Sequence, residues 1–580
     1  MSDSIHILGI HDGHNSGATL TRDGTILASI SEERLTRRKN EVGYPRRAIG
    51  AVLRLGGIDA RQLDEAVYAS NFMHTPRHLS DVSSWYRVGL ARQRADAQAP
   101  SHYAKLVYEQ RRRERIAEVT THLGLPESKV GFLDHHLCHV AAAHYTSPNA
   151  ADGRPILGLS CDGAGDNISG SVTICRGSTI ERIAAIDRHA SLGKIYSRIT
   201  LMLGMTPWEH EYKVMGLAPY ADPTRADRAA DALRRLLTLS EDGLSFRQAG
   251  ELSTNYCYEY LREAFEGVRF DTVSGAAQRF TEEILTAWVA ACIARTGIAD
   301  VVCGGGVFMN VKANMLIAAL PGVRSIHVMP SAGDESLSIG ACLHRFYQRR
   351  PGADRRQSVL RDLYLGGAFD RDAEAAAIRQ ALAGHPVTIT QPTSVEDEVA
   401  ARLARGEIVA RCAGRMEWGA RALGNRSILA SADDFRTVDR INRAIKQRDF
   451  WMPFAPSVLA EDAARYFDDP KGIQPRFMTF AFPTLPASRA EIAAASHPRD
   501  HTIRPQMVTA DANPAYHRLI GRFKALTGRG AVLNTSFNLH GFPIVESPAD
   551  AIDVFARSGL RVLALGHHVI EKKADWADAD

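Results

Sequence analysis

Apolar residues along this 580-residue chain come in short, strand-length runs separated by acidic or glycine-rich turns, the pattern of an α/β protein. IHILGI (5–10) predicts a strand, HDGHNSG a turn, and ATLTRDGTILASI a pair of strands folded at Arg22-Asp23-Gly24. RPILGLSCDGAGDNISGSVTI (154–174) repeats that order: a buried strand, an acidic glycine-rich turn, a second strand. ADVVCGGGVFMN (299–310) predicts a strand that runs into a glycine triplet and a helix, and SIHVMP (325–330) a strand that runs into SAGDESLSIGACLH, a loop opening a helix. The two related strand–turn–strand units are the clearest internal echo, and no short-period repeat accompanies them.

Between the strands lie helical patterns. SSWYRVGLARQRADAQ and HYAKLVYEQRRRERIAEVTTHLG (83–124) read as a basic helical insertion, expected to be a solvated helix pair, with an acceptor-site or dimer contact as the alternative. The polar stretch QRRPGADRRQSVL (348–360) marks a boundary, giving expected domains 1–352 and 358–580. A second α/β pattern starts at RDLYLGG, and ASRAEIAAASHPRDHTIRP (487–505) within it reads as a surface excursion.

Length alone calls for two domains or three. The net charge of +4 is too small for a bulk electrostatic grip on nucleic acid. MSDSIHILGI lacks the features of a secretory signal, and EILTAWVAACIARTG is too short to cross a bilayer. Eight cysteines without CxxC pairs fit buried thiols in a reducing cytoplasm. Neither nucleic acid nor membrane is therefore expected as a partner.

In a strand–turn–strand unit, small residues such as Gly163 and Gly165 let backbone N–H groups approach phosphates, while an aspartate holds the accompanying cation. A strand running into Gly304, Gly305 and Gly306 and then Asn310 suits an adenosine. Together these features follow the order of an actin/sugar-kinase-like ATPase core, whose two ribonuclease-H-type halves hold a nucleotide; Lys213 would reach one of its phosphates. His135 and His139 are four apart and share one helix face, the geometry by which two imidazoles reach one metal. Asp162 and Asp334 sit in turns that this fold opens into the same cleft. Two imidazoles and two carboxylates suit an iron, manganese or zinc ion that keeps open positions for a ligand. His136 and Cys138 point elsewhere, leaving His136 for a supporting shell or the substrate. His14, in the first turn, is placed to act as a base or hydrogen-bond donor.

The C-terminal half carries Arg421 and Arg426 in GARALGNRS, Lys446 and Arg448 in IKQRDFWMPF, and Arg504 in TIRPQM. Such a cluster suits a triphosphate plus a second phosphorylated substrate, although a surface ion pair is the plainer fate of any one arginine. A helix over DDFRTVDRINRAIKQRD puts Asn442 and Lys446 on one face. LNTSFN adds donors from Asn534, Ser536 and Asn538.

HDGHNSGATL, EERLTRRKN, DHHLCHVAAAHY, CDGAGDN, YKVMGLAPY, CGGGVFMN, SAGDESLSIGA, WGARALGNRSIL, FWMPFAPSVL and LNTSFNLHGFPIVESPADA together resemble the O-carbamoyltransferases that modify antibiotics and nodulation factors. The resemblance implies an N-terminal Kae1-like domain followed by a C-terminal YrdC-like α/β domain. It implies a metal on His135, His139, Asp162 and Asp334, and roles for His14 and Lys39 around the carbamoyl group and its phosphate. It implies that carbamoyl phosphate and Mg-ATP form carbamoyl adenylate at Lys446, Arg421, Arg504, Asn534 and Ser536, from which a small-molecule hydroxyl takes the carbamoyl group. Met452 departs from relatives that carry arginine there, so a phosphate contact at that position would be lost or supplied by another residue such as Arg448. A homodimer remains open. A tRNA threonylcarbamoyl-type transferase would favour a strongly basic surface. A hydrogenase-maturation carbamoyltransferase would bring acylphosphatase and CxxC segments. A non-catalytic nucleotide-dependent switch would leave the metal constellation unexplained.

Overall fold

A computed structural model describes residues 4–81, 86–98 and 101–576. The chain divides into two compact units, Met1–Glu32 with Asn40–Leu360, and Glu33–Lys39 with Arg361–Asp580. Both are mixed α/β.

The first unit holds two five-stranded sheets. In one, β1 (His6–His11), β2 (Gly17–Arg22) and β3 (Thr25–Ser31) form an antiparallel meander. β4 (Glu65–Tyr68) and β5 (Val130–Phe132) then add in parallel on the far side of β1. In the other, β6 (Ile156–Gly165), β7 (Ile168–Arg176) and β8 (Thr179–Asp187) form the meander. After a short ribbon of β9 (Leu237–Leu239) and β10 (Phe246–Gln248), β11 (Asp300–Gly304) and β12 (Ser325–Val328) add in parallel beside β6. The orders β3-β2-β1-β4-β5 and β8-β7-β6-β11-β12 are the same, so the echo in the sequence is a structural duplication. The β2–β3 turn falls where expected, with Asp23 at φ 51° and Gly24 at φ 82°, the left-handed pair that a tight hairpin needs.

Each half ends in a helix after its last strand, His135–Thr146 and Leu337–Arg349. These two helices pack closely because Gly340 has no side chain: a Cβ there would stand 1.9 Å from the Cys138 carbonyl oxygen. The run Val140–Ala143 supplies the matching small, buried surface.

Residues 83–85 and 99–100 of the basic insertion lie outside the described residues. Its long helix, Ser101–Leu123, is not merely solvated: Arg111, Arg115, Val119 and Leu123, spaced by four, form a buried face. The Arg115 guanidinium lies 4.1 Å from the Tyr68 ring centroid and donates to the Ser70 carbonyl at 3.0 Å and to Asp12 Oδ1 at 2.9 Å. Residues 351–360 stay with the first unit, through Ser358 donating to the Gly24 carbonyl at 2.6 Å and Leu360 N–H to the Thr146 carbonyl at 3.2 Å.

The second unit is built on an eight-stranded mixed sheet. Its strands are β13 (Val387–Thr390), β14 (Val409–Cys412), β15 (Arg426–Ala430), β16 (Ala455–Leu459), β19 (Gln506–Val508), β20 (Ala531–Ser536), β21 (Val562–Leu565) and β22 (His568–Lys572). β17 (Phe482–Pro483) pairs with β18 (Thr502–Ile503) apart from it. Helices Val395–Ala404 and Pro514–Thr527 cover one core, with Leu403, Leu519 and Phe523 against Val409, Leu429 and Val532. The 487–505 stretch is no surface excursion, because Ile492, Ala494, Ala495 and His497 are buried, and Ala494 N–H bonds the Ala432 carbonyl at 2.8 Å. All eight cysteines are buried free thiols. Among the described residues no helix is long and apolar enough to cross a membrane.

Candidate functional site

In the first unit, four side chains converge from three elements. Asp134 caps the helix His135–Thr146, its carboxylate accepting from Leu137 N–H at 2.8 Å. The first turn is fixed further by Asp166, at φ 46° in the β6–β7 turn, which accepts from the N–H groups of His135, Asn71 and Phe72 at 2.8–3.0 Å. Sequence reasoning missed Asp166; the second acid in CDGAGDN was its only trace. His135 and His139 then face one point, their Nε2 atoms 3.1 Å apart. Asp162 Oδ2 lies 3.4 and 3.9 Å from those nitrogens, and Asp334 Oδ1 3.5 and 3.4 Å. One ligand atom from each of the four lies within 4.8 Å of the others.

The glycines around this point make room for it. A Cβ on Gly165 would stand 2.2 Å from the His135 ring, and one on Gly304 would stand 2.6 Å from the His139 carbonyl oxygen. Gly305, at φ 100°, would meet the Cys161 carbonyl, and Gly306 N–H donates to Asp162 Oδ1 at 3.1 Å. The triplet therefore lets β11 approach the histidine helix and orients Asp162. Gly163 faces open space. Asn310 caps the helix Val311–Ala319 and exchanges hydrogen bonds with Gln278 at 2.8 and 3.0 Å. Lys213 lies in the helix Glu211–Leu217, which packs on the helix Phe270–Thr296.

The residues present fit a divalent ion. Two nitrogens and two carboxylate oxygens are suitable donors, and buried Asp334 Oδ1, facing both imidazoles, accepts no hydrogen bond among the described residues. Burial opposes the charged form of His135, but Asp334 and then Asp162 outweigh it and raise the imidazole to about 9. Both carboxylates sit below their usual range: burial pushes them up, and the facing imidazoles pull them down further.

His136 is turned away from this point. A carbonyl only accepts, so its Nε2 donates to Ile168 O at 3.0 Å, and Nδ1 accepts from the Ser160 hydroxyl at 2.9 Å. It is a satisfied core histidine, not a group for the substrate. Two other histidines join the cluster. His14 Nε2 lies 3.5 Å and His11 Nε2 3.6 Å from Asp334 Oδ2. His11 was not foreseen. Its Nε2 also lies 3.0 Å from the His14 carbonyl, and burial holds it down at about 4 against the pull of Asp334 and Asp12.

In the second unit, the fully buried Lys446 donates to Asn538 Oδ1 at 2.7 Å and to the Ser536 hydroxyl at 3.1 Å. Burial lowers its proton affinity first, and the charges of Arg448 and Lys39 lower it further. Lys39 thus belongs to this unit. Its segment is tied down by Arg34 donating to the Gly419 carbonyl at 2.6 Å, and by Arg37 to those of Ile544 and Pro543 at 2.7 and 2.9 Å. Lys446 closes a π-helical turn, Asn442–Lys446, where an α-helix was expected. The Arg448 guanidinium lies 5.0 Å from the Phe454 ring centroid, and Met452 is buried.

Arg426 has a different task from the one expected. It is buried, and it donates to the carbonyls of Glu546, Ala413, Gly414 and Asn425 at 2.9–3.3 Å, which uses its fork on the backbone. Buried Glu417 accepts from the N–H groups of Leu423, Asn425 and Arg426 at 2.7–3.2 Å and so shapes the loop carrying half-buried Arg421. Asn534 Nδ2 donates within the unit to Ala422 O at 3.1 Å and to the Ser457 hydroxyl at 3.0 Å. Arg504 is half-buried between β18 and β19.

Comparison with known proteins agrees with this layout. A family model described as Carbamoyltransferase N-terminus matches residues 6–343, and one described as Carbamoyltransferase C-terminus matches 400–572. Nodulation protein NolNO of Sinorhizobium fredii is 31% identical, over 97% of this chain and 80% of its own length. Nodulation protein NolO of Bradyrhizobium diazoefficiens is 32% identical, over 77% of this chain and 80% of its own. A 3'-hydroxymethylcephem-O-carbamoyltransferase of Amycolatopsis lactamdurans is 28% identical, over 61% of this chain and 63% of its own.

Proposed function

The chain belongs to the carbamoyltransferase family, and within it we propose an ATP-dependent O-carbamoyltransferase that works in two stages on a small-molecule hydroxyl. The observation that carries this reading is the convergence of His135, His139, Asp162 and Asp334 beside His14.

The second unit, read as YrdC-like, would carry the first stage. Carbamoyl phosphate loses its phosphate to water, a carbamate oxygen attacks the α-phosphorus of Mg-ATP, and pyrophosphate leaves. Lys446, Arg448 and Lys39 supply positive charge for the phosphates, with Arg421, Arg504 and Ser536 as further contacts. Arg426 and Asn534 hold the scaffold beneath them.

The first unit, read as Kae1-like, would carry the second stage. There the acceptor oxygen attacks the carbamoyl carbon and AMP leaves. A divalent ion, iron foremost, held by the four convergent residues would supply Lewis acidity toward the carbamoyl group. His14 takes the acceptor's proton onto its imidazole. Gly163 offers a backbone N–H group near the nucleotide and Lys213 a charge, while Gly306 N–H orients Asp162. A cytoplasmic setting supplies both co-substrates.

Incubation with ATP and carbamoyl phosphate tests the first stage through pyrophosphate release and mass-spectrometric detection of carbamoyl adenylate. Acceptors are screened by a mass gain of one carbamoyl group, beginning with a 3'-hydroxymethylcephem. Failure to form carbamoyl adenylate would overturn the reading.

A further inference from the structure

A histidine that moves protons is ordinarily oriented by a hydrogen bond to its second ring nitrogen. His14 lacks that orienter: Nε2 stands 3.5 Å from Asp334, while buried Nδ1 has no hydrogen-bond partner among the described residues. Instead, the imidazole lies on the indole of Trp208, with ring centroids 4.6 Å apart and planes 29° from parallel.

Trp208 is itself held in an unusual way. Its φ of 65° is left-handed, a conformation that a bulky side chain seldom adopts and that tends to persist only where its surroundings enforce it. The enforcing group is Glu211, at the start of the helix Glu211–Leu217. Its Oε1 accepts from Trp208 N–H at 2.8 Å and from the Ser197 hydroxyl at 2.9 Å. The carboxylate thus joins the left-handed turn to the helix Leu192–Met202.

We infer that Glu211 and Trp208 form a positioning clamp for His14. Glu211 fixes the left-handed turn, the turn presents the indole face, and the indole sets the plane of the imidazole. Neither residue touches reacting atoms; both act through His14. The kinetic consequence rests on the reading of His14 as the base, whereas the clamp itself does not.

The test uses the full chain with its histidines labelled at 13Cε1. The His14 resonance is assigned by its loss in His14→Asn. In the wild type the indole ring current displaces that resonance; Trp208→Ala removes the displacement and Trp208→Phe keeps part of it. Glu211→Ala is decisive when paired with Glu211→Gln, because the carboxylate's charge also acts on His14. Gln removes that charge while keeping an acceptor for Trp208 N–H, so Glu211→Ala should reproduce the Trp208→Ala shift and Glu211→Gln should not. An unmoved His14 signal in folded Glu211→Ala or in Trp208→Ala would overturn the clamp. If Glu211→Ala does not fold, Ser197→Ala gives a smaller shift in the same direction, and no shift there overturns the clamp.

In carbamoyl transfer, Trp208→Ala should lower kcat about a hundredfold, the effect of a misplacement near 1 Å, without altering KM for ATP or carbamoyl phosphate. It should add no further loss to His14→Asn, and Trp208→Phe should restore most of the rate. Wild-type transfer by His14→Asn would defeat the base while the spectra still support the clamp. An inactive His14→Asn beside a fully active Trp208→Ala would defeat the clamp and leave the base standing.

Discussion

Side chains that look alike in the sequence have separate fates. His136 and His139 belong to one histidine cluster, yet one is bonded through both nitrogens in the core and the other faces Asp162 and Asp334. His139→Ala should therefore leave a folded chain with less than about a tenth of the wild-type metal content. His136→Ala should keep the ligands but destabilise the first unit by about 2–4 kcal/mol, because it opens a buried cavity and removes the imidazole from Ile168 O and from Ser160, whose hydroxyl keeps Ser171 at 2.7 Å. Metal analysis paired with calorimetry separates the two. A parallel contrast holds in the second unit. Arg426→Met should cost about 3 kcal/mol or more, since four carbonyls lose a donor, although Asn425 O keeps another from Ala413 N–H at 3.0 Å. Lys446→Ala should instead abolish pyrophosphate release without loss of stability. Unfolding curves and pyrophosphate assays on both variants check this pair. The i,i+4 spacing made His135 and His139 legible. Nothing local distinguished Arg426 from Lys446, because the carbonyls that occupy one and the Ser536 and Asn538 side chains that meet the other are brought to them by the fold.

At the scale of elements, strand–turn–strand order and loop-to-helix transitions were readable, because they depend on short-range pattern. Packing was not. The alternation of arginines in Ser101–Leu123 looks like a solvated face until Tyr68 and Asp12 arrive to bury Arg115. The π-turn at Asn442–Lys446 likewise has no signature in residue spacing. The helix contact at Gly340 is a testable case. Gly340→Ala forces a Cβ against the Cys138 carbonyl and must separate the helix bearing His139 from the one that follows Asp334. The expected cost is about 1–3 kcal/mol in stability, with weaker metal binding although no ligand is altered. Isothermal titration with the divalent ion would show the change in affinity, and unaltered affinity would count against the coupling.

For the molecule as a whole, the duplication of one sheet order explains why two turns and one helix converge on a single point in the first unit. The boundary falls at Leu360, and the Glu33–Lys39 segment joins the second unit, which no composition shift announces. The first unit also carries a pH dependence apart from its site. Burial holds His144 and His344 at about 4, below the 6.5 of an exposed imidazole. Between those values the unfolded chain binds protons that the folded one does not, so stability is lost as pH falls from 6.5 toward 4, by about 3 kcal/mol for each group. A His344→Phe variant should show a shallower fall in melting temperature over that window, and a curve of unchanged slope would refute the assignment.

The division of labour between the units is the central claim, and one measurement addresses it without knowledge of the acceptor. Wild type, His139→Ala and Lys446→Ala are each incubated with ATP and carbamoyl phosphate, and carbamoyl adenylate and pyrophosphate are quantified. Wild type and His139→Ala should both form them, and Lys446→Ala should not. Absence of carbamoyl adenylate from the wild type, or its undiminished formation by Lys446→Ala, would contradict the account.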